Sequence, residues 1–236
     1  MASPRVRTQK GVCDVAALAN GTTIRYALRL ASIPFVSERI FRLLLKQAPN
    51  MATQMREYIL GVASELFATR GINATSVDTI VAEAGVAKVT LYKYFKSKEQ
   101  LILEYLRQYD DKLWKKLTER MTTRDAAPGE KLLTLVNAVM DWIADPEFKG
   151  FAFTNATAEF PQDENPVHQT SVEFAQTLRN TLAKIAAEAG IKNADRLALQ
   201  LSLVIEGAAI TERMQHGSGA VEHAKEMAKT LIEAAR

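Results

Sequence analysis

The sequence predicts an all-α protein, in which a short three-helix domain precedes a larger helical bundle. Apolar residues recur from Thr53 onward at the spacing of a helix with one buried face. Glycine, proline and hydroxyl residues fall where these periodic runs start and stop, as expected of helix ends. No sustained two-residue alternation follows residue 53, so no strand is predicted there.

The first two helices have clear start and stop signals. The run from Arg56 to Arg70 carries a periodic apolar face, and Gly71 follows as a residue that can close a helix in the left-handed conformation. The stretch Thr75-Ser76-Val77-Asp78 then places a capping hydroxyl before an acid. It opens a second, short helix with one apolar face that ends at Gly85.

Seven further helices are predicted along the chain. A third short helix follows from about Lys88 to Tyr94. Ser97-Lys98-Glu99-Gln100 is another capping signature and opens a long helix towards Arg120. Beyond a loop at 125–129, the same patterns predict helices over about 130–144, 151–160, 165–189, 193–215 and 219–235.

Composition excludes several classes of protein. Of the 236 residues, 47% are apolar, which is typical of a globular protein. No uncharged apolar run reaches the roughly 18 residues of a membrane-spanning helix. The single cysteine, Cys13, excludes a disulfide framework, and the three histidines have no metal-ligand spacing. We therefore expect a cytoplasmic protein that carries no metal or cofactor.

Charge is divided unevenly along the chain. Residues 1–50 contain eight Lys/Arg and two acidic residues, a balance of +6. The remaining 186 residues contain 22 basic and 25 acidic groups, a balance of −3, so the overall +3 comes from the first fifty residues. Any prediction of nucleic-acid binding must therefore rest on local pattern and not on net charge.

The first fifty residues allow two interpretations. Residues 24–46 are compatible with a basic amphipathic helix, which would serve as a DNA- or membrane-surface arm. Alternatively, the segment is a non-native extension, and the true start is Met51 or Met55. The second interpretation rests on the complete domain that begins just after Met51.

A local basic and aromatic run, GVAKVTLYKYFKSK, occupies residues 85–98. Three helices in the order long, short, short, with Gly85 at the second turn, describe a helix-turn-helix. Val86 and Leu91 anchor the third helix to the core. Its outward residues suit the major groove of DNA, and they are Lys88, Val89, Thr90, Lys93 and Tyr94. Tyr92 and Lys98 are suited to phosphates instead.

The segment from Ile59 to Leu101, ILGVASELFATRGINATSVDTIVAEAGVAKVTLYKYFKSKEQL, resembles the amino-terminal domain of the TetR/AcrR family of bacterial transcriptional regulators. The matching pieces are ELFATRG, TSVDTIVAEAGV and TLYKYFKSKEQL. The resemblance implies phosphate contacts near Thr75, Ser76, Tyr92 and Lys98, and groove contacts from Lys88, Val89, Thr90, Lys93 and Tyr94. The chain departs from the family pattern at Ala87, where Ser is common, and at Val89, where Gly is frequent.

A second resemblance lies in GFAFTNATAEF, residues 150–160, which is similar to a segment of one TetR/AcrR subgroup. Phe151 and Ala152 stand around the position of the usual cysteine, so thiol-based sensing lacks its sulfur here. The resemblance implies that residues 101–236 bind a small effector and dimerise.

Candidate pocket residues in this region are mainly apolar, as in most ligand sites, and they are Met140, Trp142, Phe153, Asn155, Phe160, Phe174 and Glu206. Glu206 lies in the apolar run LALQLSLVIEGAAI. It either faces the pocket or pairs with Arg213 or another base across an interface.

The last two helices are predicted to form the dimer interface, because small residues along them allow close packing. The predicted interface residues are Leu201, Ile205, Ala208, Ala209, Ala224, Ala228 and Leu231. A two-fold dimer would present paired recognition helices to half-sites about 34–36 Å apart, or a multiple of that distance.

The sequence therefore predicts a homodimeric repressor that a small-molecule effector releases from a pseudo-palindromic double-stranded DNA operator. Its predicted domains are an atypical extension (1–50), a helix-turn-helix domain (51–100) and an effector-binding and dimerisation domain (101–236). A ligand-dependent activator of the same fold is the alternative. A helical enzyme or a membrane-surface protein is less favoured, because no nucleophile with a base, carboxylate pair or metal cluster occurs at a recognisable spacing.

Overall fold

A computed structural model describes residues 5–8, 11–14, 51–122 and 128–236 of the chain. The chain divides into two compact units, residues 1–61 and 62–236. The predicted basic helix over residues 24–46 lies outside the described residues. The predicted domain boundaries at residues 50 and 100 stay predictions.

Two short strands form an antiparallel hairpin in the first unit. Strand β1 spans Arg5–Thr8 and strand β2 spans Gly11–Asp14, with Val6 paired to Cys13. From residue 51 onward, the described residues form helices and their connections. The all-α prediction for the body of the chain is therefore confirmed.

Nine helices occupy the described residues from 51 onward. They are α1 (Met51–Arg70), α2 (Val77–Ala84), α3 (Lys88–Tyr94), α4 (Lys98–Thr122), α5 (Pro128–Ile143), α6 (Ala152–Glu159), α7 (Pro166–Glu188), α8 (Ala194–Met214) and α9 (Ala220–Ala234). All nine were predicted, and their ends agree within two residues, except that α1 begins five residues before Arg56. No described helix is both long enough and apolar enough to cross a membrane.

The predicted turn chemistry is present around α2. The Ser76 hydroxyl accepts a hydrogen bond from the Thr79 N–H at 3.0 Å and caps the first turn. Gly71 and Gly85, which follow α1 and α2, have φ values of +89° and +63°. Residues with a Cβ rarely adopt this left-handed conformation, so both helix ends depend on glycine.

Helix α3 depends on burial for its stability. It has seven residues, and helices of this length are not stable alone in water. Leu91 within it and Phe95 at its end are both 0% exposed. On the preceding helix α2, Ile80 and Ala84 are buried as well. These apolar anchors hold α3 in place against the domain.

The C-terminal bundle is built around α5. This helix packs against α4, α7, α8 and α9, and α8 also packs against α7 and α9. The core of α5 consists of fully buried side chains, namely Leu132, Leu135, Val136, Met140 and Ile143. On its outer side, the Asp141 carboxylate accepts hydrogen bonds from Arg120 of α4 and Lys225 of α9. Burial alone would raise the pKa of the Asp141 carboxyl. The two cations lower this pKa by more than burial raises it, so the net shift is downward.

Candidate nucleic-acid interface and helical pocket

Helix α3 presents most of its predicted DNA contacts to solvent. Its exposed side chains are Lys88, Val89, Tyr92 and Lys93. Val89 is 76% exposed and Tyr92 is 44% exposed, whereas Thr90 and Tyr94 are half-buried. A single helix of this kind fits the major groove, which is about 12 Å wide. The fold therefore brings the predicted groove residues together on one helix, and their contacts with bases stay predictions.

Lys88 already has an acidic neighbour on the preceding helix. Its ammonium lies 2.8 Å from the Asp78 carboxylate, and both side chains are more than half exposed. The hydrogen bond to Asp78 and the charge of that carboxylate raise the pKa of Lys88. DNA would therefore compete with Asp78 for this cation.

Replacing Asp78 with asparagine should tighten DNA binding by about two- to fivefold, the range of an exposed ion pair. The change removes a negative charge near the recognition helix and releases Lys88, while the side chain keeps its size. Fluorescence anisotropy at fixed salt measures the effect, with Glu83→Gln as an exposed control on the same helix. Unchanged affinity would mean that Asp78 does not compete with DNA for Lys88.

The predicted phosphate contacts near the start of α2 divide into two kinds. Ser76 is exposed at the amino end of this helix, where a phosphate is favoured, so its role stays a prediction. Thr75 is 0% exposed, and its hydroxyl donates to the Gly71 carbonyl at 2.7 Å and the Leu66 carbonyl at 3.3 Å. The Thr75 side chain therefore closes the end of α1 and does not reach a phosphate in this conformation.

Lys98 has a backbone partner beside its predicted phosphate role. Its ammonium is half-buried and donates a hydrogen bond of 2.6 Å to the Ile72 carbonyl, between α1 and α2. Burial lowers the pKa of Lys98, and the nearby Glu159 carboxylate partly opposes that shift. This bond uses one of the three ammonium donors, so the phosphate contact of Lys98 stays a prediction.

The predicted cap of α4 is confirmed. The Ser97 hydroxyl accepts a hydrogen bond from the Gln100 N–H at 3.0 Å, and the Gln100 side-chain oxygen accepts one from the Lys96 N–H at 2.8 Å. At the start of α3, by contrast, Ala87 provides no side-chain cap. The departure from the family pattern at Ala87 thus leaves this helix start without a hydroxyl.

Aromatic side chains from four helices meet inside the bundle. The ring centroid of Tyr109 on α4 lies 5.2 Å from that of Trp142 on α5 and 5.7 Å from that of Phe153 on α6. Phe153 stacks on Phe174 of α7, with centroids 3.8 Å apart and planes at 9°. Burial raises the pKa of the Tyr109 phenol well above its usual range. We call these four residues the aromatic cluster. Three of them, Trp142, Phe153 and Phe174, are predicted pocket residues, and Tyr109 contacts the first two.

Two polar pairs link α6 to α8 beside this cluster. The Thr154 hydroxyl donates to the Glu206 carboxylate at 2.9 Å, and the Arg213 guanidinium donates to the Asn155 side-chain oxygen. Burial raises the pKa of Glu206, and the bond from Thr154 partly opposes this shift. Glu206 thus has a hydroxyl partner next to the aromatic cluster, and Arg213 bonds Asn155 instead.

The two remaining pocket candidates lie elsewhere in the bundle. Met140 is 0% exposed in the core of α5. Phe160 is half-buried directly after α6, and its carbonyl accepts a hydrogen bond of 2.8 Å from Nδ1 of His168. A role for either side chain in ligand binding stays a prediction.

The predicted dimer residues lie mostly inside the protomer. Six of them are 5% exposed or less, namely Leu201, Ile205, Ala208, Ala209, Ala224 and Ala228, and Leu231 is half-buried. Since this burial arises within a single chain, these side chains pack α8 and α9 into their own bundle. Ala208 and Ala224 also line the groove between the two helices, and a place for these residues in a dimer interface stays a prediction.

A different face of α8 and α9 is apolar and open. It carries an exposed apolar stripe, which we define as Leu203 (64% exposed), Ile210 (49%), Met214 (82%) and Met227 (56%). Part of the stripe borders a groove of about 390 Å³ between the two helices, which Gly207 and Ala220 also line. The seven-residue interval between Leu203 and Ile210 is the sequence signal for this face.

Sequence reasoning also missed Tyr109 and Thr154. Tyr109 follows Tyr105 by four residues on α4, which places both rings on one side of that helix. Burial raises the pKa of Tyr105 to about 12. Thr154 had no comparable signal, because its partner Glu206 is 52 residues away in sequence.

The glycine-bounded α2, the exposed face of α3 and the attached bundle define a helix-turn-helix DNA-binding protein. The family model described as "Bacterial regulatory proteins, tetR family" matches residues 59–105. Residues 59–105 thus form a helix-turn-helix domain of the TetR type, which is found in DNA-binding transcriptional regulators. Within the described residues, no group of three or more His, Cys, Asp or Glu side chains is arranged to hold a metal ion.

Similar proteins cover the chain to different extents. The transcriptional repressor KstR2 of Mycolicibacterium smegmatis is 37% identical over 95 residues, which are 40% of this chain and 46% of that protein. The match thus spans less than half of KstR2. The regulator YjdC of Escherichia coli is 22% identical over 184 residues, 77% of this chain and 95% of that protein.

A solved TetR-family regulator from Streptomyces coelicolor shares the fold over most of the described body. It superposes with a TM-score of 0.74 at 28% identity, and the match covers 78% of this chain and 96% of that protein.

Proposed function

We propose that the protein is a homodimeric repressor that binds a pseudo-palindromic operator and leaves it when a small molecule enters the bundle. The observation that carries the proposal is the outward face of α3, where Lys88 and Lys93 flank Tyr92 while Leu91 is buried. Lysine and tyrosine on an exposed recognition helix suit base edges and phosphates. The repressor direction follows the name of KstR2, and the activator of the same fold is the alternative.

The exposed apolar stripe supports the dimer. Monomeric proteins rarely expose contiguous apolar patches of large side chains, and such patches mark association sites. Leu203, Ile210 and Met214 lie along one side of α8, and Met227 of α9 lies across the groove. A second copy would cover this stripe by two-fold symmetry, and the two α3 helices would then face the same side of the DNA.

The aromatic cluster and Glu206 support an effector site in the bundle. Ligand sites combine apolar and aromatic walls with a few placed polar groups. Here the rings of Tyr109, Phe153 and Phe174 lie next to the Thr154–Glu206 pair. We propose no cofactor and no catalytic role for these groups.

Selection of bound fragments from a random DNA pool with the full chain tests the proposal. A homodimer should enrich an inverted repeat whose half-sites are centred about 34–36 Å apart or a multiple of that distance. Enrichment of a single unrepeated site would argue against the dimer. Failure to enrich any sequence would remove the proposed function.

Replacing Lys93 with alanine should weaken operator binding while leaving its salt dependence nearly unchanged, because Lys93 is a predicted groove contact. Each phosphate neutralised contributes roughly 0.9 to the slope of log affinity against log salt, so a dimer that lost two phosphate contacts would instead lose about 1.8. Anisotropy titrations at four salt concentrations measure the slope, and sedimentation confirms that the dimer is intact. Lys112→Ala, an exposed lysine on α4, is the control. A slope reduced by about 1.8 would mean that Lys93 contacts a phosphate and not a base.

A further inference from the structure

The C-terminal bundle holds the connection between α1 and α2 through one carboxylate. Glu159, the last residue of α6, accepts the Ile72 N–H at 2.8 Å with one oxygen and the Asn73 N–H at 2.6 Å with the other. The Asn73 side chain also donates to the Glu159 carbonyl at 3.1 Å. Hydrogen bonds to an ionised group are about twice as strong as neutral ones, so this is a firm attachment.

Lys98 completes this attachment from the opposite side of the same residue. Its ammonium donates to the Ile72 carbonyl at 2.6 Å, while Glu159 holds the Ile72 N–H. Gly71 makes room for the carboxylate, because a Cβ at this position would lie 3.3 Å from the Glu159 oxygen. The four hydrogen bonds tie the end of α6 and the start of α4 to one short connection in the helix-turn-helix domain.

A second contact holds the other end of the α6 segment. Lys149, which precedes α6, pairs with Glu65 on α1. Glu65 lies within α1, and Ile72 lies in the connection that follows the end of α1 at Arg70. Two attachments on either side of this helix end restrain its angle as well as its position. Between them, Thr154 and Asn155 bind Glu206 and Arg213 of α8.

Small changes in this angle matter for DNA with two half-sites. Successive base pairs are about 3.4 Å apart along the duplex. A shift of roughly 1.7 Å at each recognition helix of a dimer would therefore change the matching half-site separation by about one base pair. The bonds that hold the helix-turn-helix on the bundle are therefore placed to influence which spacing is bound.

We propose that Glu159 is a positioning residue that sets the half-site spacing the dimer accepts. The proposal rests on the dimeric DNA-binding function argued above. The carboxylate touches no DNA; it acts through the Ile72 and Asn73 amides, which lie between the last turn of α1 and the cap of α2 at Ser76. Loss of the carboxylate should broaden the accepted spacings rather than abolish DNA binding.

The test compares full-length wild type with Glu159→Gln, which keeps the side-chain size but can accept only one of the two N–H groups. Glu164→Gln, an exposed carboxylate in the loop after α6, is the matched control. Each protein is titrated with three duplexes, the selected operator and versions with one base pair added to or removed from the spacer. Melting temperature, sedimentation and amide hydrogen exchange at Ile72 and Asn73 are measured in parallel.

We expect wild type and Glu164→Gln to favour the selected spacing by about tenfold, and Glu159→Gln to favour it by less than about threefold. The dimer should persist, and the Ile72 and Asn73 amides should exchange faster. A retained tenfold preference in Glu159→Gln would overturn the proposal alone. An equal loss on all three duplexes with a lower melting temperature would also overturn it, because that is the pattern of a purely structural residue. A wild type without any preferred operator would instead overturn the proposed function.

Discussion

Leu91→Ala should lower the free energy of unfolding by about 2–5 kcal/mol and remove specific operator binding. Leu91 is 0% exposed and is the buried residue of α3, a helix too short to be stable alone. Truncation leaves a cavity beneath this helix, and the surrounding helices close it only partly. Because the DNA contacts lie on the same seven residues, a locally unfolded α3 cannot present them together.

Urea unfolding followed by circular dichroism measures the stability, and anisotropy on the selected operator measures the binding. Val89→Ala is the matched control, since Val89 is two residues earlier on α3 but 76% exposed. It should change stability by no more than about 0.5 kcal/mol while it alters base preference. If Leu91→Ala retains specific binding, α3 is not the recognition helix.

Most features of the fold that were predicted correctly are encoded by local sequence signals at the helix ends. The turn at Gly85 requires a left-handed residue, Ser76 and Ser97 provide capping hydroxyls, and Asn165 caps α7 just before Pro166. Each of these signals acts within about four residues, so sequence alone contains the whole interaction. This is why the helix ends agreed closely. The exception is α1, whose prediction began at Arg56, five residues after Met51.

Helix α8 shows what a periodic apolar pattern in the sequence does not predict. It is apolar on more than one side, with Leu197, Leu201 and Ile205 buried and Leu203 and Ile210 exposed. A periodic pattern identifies an apolar face but does not state whether it packs within the chain or against a second copy. The small residues Ala208 on α8 and Ala224 on α9 suggested that helices pack closely there. In the structure, α8 and α9 pack closely within the protomer.

Long-range hydrogen bonds were beyond prediction for a different reason. Thr75, Lys98 and Glu159 are each bonded to backbone groups around the end of α1, which the sequence analysis did not predict. Glu159 and its partners are 86 and 87 residues apart, and no local pattern encodes such a pair. The family resemblance implied phosphate contacts for both Thr75 and Lys98. The single hydroxyl donor of Thr75 is bonded to carbonyl oxygens here, whereas Lys98 uses one of its three donors in this way.

Leu203→Glu should weaken the dimer by at least about a hundredfold, or roughly 2.7 kcal/mol, and leave the protomer folded. Leu203 is 64% exposed on the apolar stripe, so the charge costs little in a single chain. In a two-fold dimer the substitution places a carboxylate in the apolar contact from each copy, and both charges lose their water. Sedimentation over a range of protein concentrations measures the dissociation constant, and thermal unfolding reports the protomer.

Operator binding should fall with the dimer, because two linked recognition helices bind their half-sites as one unit and separate protomers do not. Val172→Glu is the matched control, since Val172 is a 36% exposed apolar residue on α7, away from the stripe. It should leave both dimer and operator affinity unchanged. If the Leu203→Glu protein stays dimeric, the dimer interface lies on another face of the bundle. One that becomes monomeric yet binds the full operator unchanged would mean that dimerisation is not needed for recognition.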